Sequence, residues 1–242
     1  MKLCVVALGL CLSIGSSIAQ DPPKPVPETP RQQPPKTPEA EKPVVLELGK
    51  TLPRAFELPD IDGNIHRSAD FEGKVVVIDF WSTTCPISRG WEARLAAIRG
   101  EYAAKDVVFL FVNSNEGNGE IADQEPETEK DKPYQKVRNY LADHELPYTV
   151  LVDHQSRIAD LFAARTTPDV YVFDTKGVLV YRGAIDDDSS GRKGEKATQY
   201  LRPTLDQLLA GEAVEPRQTE SVGCAIKRPA SSAGGQRRRR RG

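Results

Sequence analysis

Two stretches, Val75 to Phe80 and Val107 to Val112, are almost unbroken runs of apolar and β-branched residues. That pattern predicts strands buried on both faces of a sheet. After the first run, Trp91, Leu95 and Ile98 recur at spacings of four and three, which predicts an amphipathic helix ending near Gly100. Ahead of it, Phe56 to Ile65 alternates apolar and polar residues around Asp62-Gly63, a hairpin signal. Further on, Tyr134, Val137, Tyr140 and Leu141 predict a helix, Tyr148 to Val152 a strand, and Ile158, Leu161 and Phe162 a short helix. Asp169 to Phe173 and Val178 to Tyr181 read as two strands around the turn Asp174-Thr175-Lys176-Gly177. Leu201, Leu205, Leu208 and Leu209 mark a last helix, stopped by Gly211. Helices alternating with strands in this order predict an α/β fold, a mixed sheet covered by helices with an antiparallel hairpin at one edge.

The ends of the chain read differently. Lys2, the apolar run Leu3 to Ile14 and the small residues up to Ala19 have the layout of a signal peptide over 1–19. Residues 20–46 are Pro-rich and polar and read as a disordered linker, residues 47–227 as the folded domain with its C-terminal extension, and 228–242 as a disordered Arg-rich tail. Export to a periplasmic or cell-envelope setting, or secretion, is the expectation. The formal net charge is −2, so only Arg237 to Arg241 supports contact with an anionic surface, and nucleic acid is not an expected partner. Asn113 to Gly119 with the acidic stretch up to Asp131, and Asp186-Asp187-Asp188, read as solvated loops. His66, His144 and His154 are widely separated and read as surface residues, so neither a metal site nor a cofactor is expected.

Of four cysteines, Cys4 and Cys11 leave with the signal peptide, so Cys85 and Cys224 remain in a compartment where disulfides persist, either paired with each other or with Cys85 as a free reactive thiol. Cys85 follows the first buried strand and precedes Pro86, a favoured first helical residue, and so falls at a helix N-cap. There the unpaired N–H groups and the helix dipole favour thiolate over thiol, and Arg89, one turn on, adds positive charge.

These residues carry a resemblance. Val77-Ile78-Asp79-Phe80-Trp81 with a cysteine four residues after the tryptophan resembles the thioredoxin active-site strand. Thr83-Thr84-Cys85-Pro86-Ile87-Ser88, Phe56 to Gly63, Val178 to Gly183 and Thr219 to Cys224 are similar to exported thioredoxin-like and redoxin (alkyl hydroperoxide reductase/thiol-specific antioxidant) proteins. The resemblance implies a thioredoxin-like fold, a cis-proline at Pro168 beside the sulfur, and a buried Asp79 that relays protons. It also implies a substrate groove formed by Trp81, Thr84, Pro86, Thr167 and Pro168, with Ser88 and Arg89 activating the thiol. The second thiol of a Cys-x-x-Cys motif is replaced by Ser88. A peroxidase of this family carries a threonine three residues before the cysteine and a proline seven before, where this chain has Ser82 and Ile78.

The expected function is therefore an exported thiol-disulfide oxidoreductase in which Cys85 attacks a protein or small-molecule disulfide and is regenerated by Cys224 or an external thiol. A thiol peroxidase acting on peroxide, and a non-catalytic domain in which Cys85 and Cys224 form a permanent bond, are the other two readings. The residues leave the choice between a resolving and a structural Cys224 open.

Overall fold

The computed structural model describes residues 46–122 and 132–230. The signal peptide, nearly all of the Pro-rich linker, the arginine run and residues 123–131 lie outside the described residues.

The hairpin is formed by β1 (Glu57–Pro59) and β2 (Ile65–Arg67), which pair antiparallel. Five further strands form one sheet in the order β5-β4-β3-β7-β8. They are β3 (Val75–Phe80), β4 (Val107–Asn113), β5 (Val150–Val152), β7 (Val170–Phe173) and β8 (Leu179–Gly183). β3, β4 and β5 run parallel, and β7 and β8 are antiparallel neighbours. The C-terminal hairpin thus sits at the edge, as the order of elements predicts.

Every residue of β3 is buried. Its side chains alternate, Val75 and Val77 entering one core and Val76, Ile78 and Phe80 the other. The first core is closed by α1 (Pro86–Tyr102), α2 (Gln135–Asp143) and α4 (Leu201–Ala210) through Leu95, Val137 and Leu205. The second is closed by α3 (Arg157–Phe162) and the N-terminal hairpin, through Ile158, Phe162, Phe56 and Leu58.

α1 does not stop at Gly100. Tyr102 is fully buried and its hydroxyl donates to Asp206 Oδ1 on α4 at 2.7 Å, so packing carries the helix through a glycine that costs about 1 kcal/mol in isolation. α4 does end as expected, with Gly211 at φ 72°.

Parts of two expected solvated loops are instead built into the interior. Asp186 and Asp188 are each 2 % exposed. Asp186 accepts from Trp91 Nε1 (2.6 Å), Arg94 Nη1 (2.5 Å) and the Asp188 N–H (2.8 Å), while Asp188 accepts from the N–H groups of Arg192, Lys193 and Gly194. Their carboxylates are internal acceptors, and that satisfaction is what permits burial. Likewise Asn113, Ser114, Asn115, Glu120 and Ile121 are buried, so the stretch after β4 dips back inside before residue 123.

Both outer strands are bordered by irregular chain. Asp60 bridges to Leu151 of β5, and the Ile61 N–H donates to Val150 O. On the far side Gln218 bridges to Arg182 of β8, whose N–H donates to Arg217 O. A two-stranded ribbon completes the fold: β6 (Thr166–Thr167) pairs antiparallel with β9 (Cys224–Ala225), with Thr167 opposite Cys224. No apolar alternation announces β9.

Candidate active site

β3 ends at Phe80, and residues 81–84 carry the chain to Cys85, which has extended backbone (φ −85°, ψ 111°) and caps α1. The Ser88 N–H donates to Cys85 Sγ at 3.4 Å, and the Cys85 thiol donates to Thr167 O at 3.0 Å. The Thr167-Pro168 peptide bond is cis, and both residues are buried. The β6–β9 register sets Cys224 beside them, and the Cys85 and Cys224 thiols are both free and close enough for each to shift the other's titration. Burial pushes the Cys85 thiol up, but bonds from the Cys224 thiol, the Ser88 N–H and the Thr167 hydroxyl outweigh it, and the net shift is down. For Cys224 burial and the hydrogen bond to Cys85 both push upward, and the Ile87 N–H opposes them. The first turn of α1 therefore offers the Ser88 N–H to the Cys85 sulfur.

Asp79 is 2 % exposed. Burial raises its pKa far above the usual carboxylate range, with the charges of Asp169, Cys85 and Glu92 adding to it and only the Asp169 N–H opposing. Burial thus favours its neutral form, and its Oδ2 has no hydrogen-bond partner among the described residues. Ser88 is also buried, and its Oγ has no partner among them either.

Trp81, proposed from the sequence as a substrate contact, is 1 % exposed. Its Nε1 donates to Glu92 and its ring meets Tyr140 and Tyr148 edge-on, so it is a core wall beneath the site. Thr84, Pro86 and Arg89 are exposed. Arg89 Nε donates to the Tyr140 hydroxyl at 3.2 Å and the guanidinium lies over that ring.

Sequence reasoning missed Glu120. It is 4 % exposed, and its carboxylate accepts from Ser82 Oγ (2.7 Å), the Thr83 N–H (2.9 Å), Thr84 Oγ1 (2.6 Å), Asn113 Nδ2 (2.9 Å) and Asn118 Nδ2 (3.0 Å). Burial pushes its pKa up, but these bonds outweigh it and hold the carboxyl below its ordinary value. Glu120 is thus an ionised clamp on the three residues that lead into Cys85. The run Ser82-Thr83-Thr84 was the available signal, since three successive polar residues entering a buried loop require an acceptor.

Asp169, next to Pro168, is pushed up to about 6 by burial, against bonds from Ser221 and Tyr171. A carboxyl raised by folding contributes its stability fully below its ordinary value and loses it as pH rises through the folded value. Thermal melts should show wild type losing stability relative to Asp169→Asn as pH climbs from 3.8 to about 6. A constant difference across that window would show that Asp169 does not titrate there.

A family model described as the AhpC/TSA family matches residues 48–182. Thiol-disulfide oxidoreductase ResA of Halalkalibacterium halodurans is 24% identical over 125 residues, 52% of this chain and 62% of that protein. The chain thus aligns with less than two thirds of that relative's length. Thioredoxin-like protein YneN of Bacillus subtilis is 27% identical over 140 residues, 58% of this chain and 73% of that protein. Among solved structures, an uncharacterized conserved protein from Geobacillus kaustophilus gives a TM-score of 0.65 at 29% identity, covering 78% of this chain and 95% of that one. Hypothetical protein SMc02350 from Sinorhizobium meliloti gives 0.64 at 28%, covering 76% and 96%. The fold is thioredoxin-like, as the sequence resemblance implies.

Proposed function

The chain belongs to the AhpC/TSA family, and from that footing we propose that it is a thiol-disulfide oxidoreductase whose redox couple is Cys85 with Cys224. The observation that carries this reading is the β6–β9 register, which sets Cys224 opposite Thr167, the residue whose carbonyl accepts from the Cys85 thiol. The name of the ResA relative supports the reaction class. In the cycle, two protein thiols and a substrate disulfide become one protein disulfide and two substrate thiols. Two electrons and two protons pass to the substrate. An external thiol then reverses the change on the protein. Asp79, buried, held toward its neutral form and sensitive to the charge on Cys85, exchanges the proton with Cys85 as it gains and loses charge.

The peroxidase reading is weaker. The Ser82 hydroxyl, which stands where a family peroxidase has its threonine, is spent on Glu120, and Ile78 replaces the proline. The leader-like 1–19 segment supports an exported setting, with Arg237 to Arg241 available to an anionic surface.

The test is a non-reducing peptide map of the full chain after oxidised glutathione, where a linked Cys85–Cys224 peptide is expected. Dithiothreitol-driven reduction of oxidised glutathione should fall to background in Cys85→Ser and in Cys224→Ser. Turnover that survives in both variants, or peroxide consumption that alone depends on both sulfurs, would sink this assignment.

A further inference from the structure

Residues 217–228 run across the site as a strap fastened along its length. The Thr219 N–H donates to Arg182 O, the Ile226 N–H to Arg165 O, the Lys227 N–H to Asn115 Oδ1, and the Gly117 N–H to Lys227 O. Arg228 closes the end, donating to Asp160 Oδ1 and Ala164 O. Two glycines make the seating close. A Cβ on Gly223 would lie 2.3 Å from Thr167 O, and one on Gly117 would lie 2.1 Å from Arg228 O.

The strap therefore occupies the Thr166–Thr167 edge, beside Thr167 and Pro168, which the sequence resemblance sets in the substrate groove. With that edge paired to β9, an extended polypeptide finds no free peptide groups there. Cys85 beneath is 2 % exposed, whereas Cys224, carried by the strap, is part-exposed.

We propose that outside partners exchange at Cys224, not Cys85, and that they are small-molecule thiols and disulfides; this rests on the Cys85–Cys224 couple proposed above. In the reductive direction a small thiolate attacks Cys224 Sγ. A Cys224 mixed disulfide forms, the Cys85–Cys224 bond breaks and its electron pair leaves on Cys85. A second small thiolate then attacks the partner sulfur, releasing a small disulfide and the Cys224 thiolate, which takes up a proton. The oxidative direction is the reverse, with Cys85 attacking the Cys224 mixed disulfide and expelling the second small thiolate. The opposed shifts of the two thiols agree with this, because the sulfur of lower pKa is the better leaving group.

The test treats reduced, full-length Cys85→Ser and Cys224→Ser proteins with oxidised glutathione and maps the adducts by peptide mass. Neither variant can close the internal bond, so each adduct accumulates. Capture on Cys224 in Cys85→Ser is expected about tenfold or more faster than capture on Cys85 in Cys224→Ser, because access limits the buried thiol. Adding Gly223→Ala to Cys224→Ser should unseat the strap and speed capture on Cys85, with circular dichroism checking that the fold persists. Equal or faster capture on Cys85 under the seated strap overturns the inference, as does a folded Gly223→Ala double variant that captures no faster. The couple itself is read separately: a wild-type map without the Cys85–Cys224 peptide defeats the couple, whatever the order of capture.

Discussion

Glu120→Ala is expected to lower stability by roughly 3–5 kcal/mol and to raise the pKa of Cys85. Removing the carboxylate leaves Ser82 Oγ, the Thr83 N–H and Asn113 Nδ2 as buried donors, each costing on the order of 1–3 kcal/mol when unsatisfied. Thr84 and Asn118 are exposed and can turn to water, which keeps the total below the sum over all five. Ser82, Thr83 and Thr84 lead into the cap at Cys85, so a loosened loop also loosens the N–H geometry that lowers the thiol pKa. Glu120→Gln retains one amide oxygen as an acceptor and should recover part of both losses. Urea denaturation reads the first effect and the pH profile of iodoacetamide capture at Cys85 the second. A destabilised variant with an unmoved profile would make Glu120 a purely structural residue.

Asp186→Ala should cost about 3 kcal/mol and leave that pH profile where it was. Breaking a buried ion pair by removing one partner costs about 3–5 kcal/mol, because the other charge loses its match. Here the Arg94 side chain is 31% exposed and can reach solvent, which favours the low end, while the Trp91 Nε1–H stays buried without its acceptor. The pair of variants is informative together. Similar losses of stability with different effects on the thiol would separate the clamp beside Cys85 from the pin at the far end of α1's first turns. If Asp186→Ala moved stability by only a few tenths of a kcal/mol, as an exposed aspartate would, its burial would be refuted.

The sequence made legible those parts of the molecule whose cause is local. β3 and β4 announce themselves because both their faces are buried, and Cys85 falls at a cap because Pro86 follows it. The pairing of Thr167 with a cis-proline was readable from two letters and a resemblance. What stayed hidden depends on partners far along the chain. Glu120 looks like one more acidic residue in an Asn/Gly-rich loop until its donors 36 to 38 positions away are in place. Asp186 needs Trp91 and Arg94, more than 90 positions back. β9 is two residues long and has no period to detect, so only the count of cysteines hinted that Cys224 would come to the site.

The bordering of the five-stranded sheet has a consequence for solubility. An open outer strand presents a row of unpaired N–H and C=O groups on which a second copy can add its own strand, the usual first step of sheet-driven aggregation. In this molecule β5 is only three residues long and has Asp60 and Ile61 against it, and β8 has Arg217 to Thr219 against it. The segment that brings Cys224 to Cys85 is therefore also, at its near end, the guard of an aggregation-prone edge. Shortening the chain ahead of Arg217 would remove a thiol and uncover a template in the same cut.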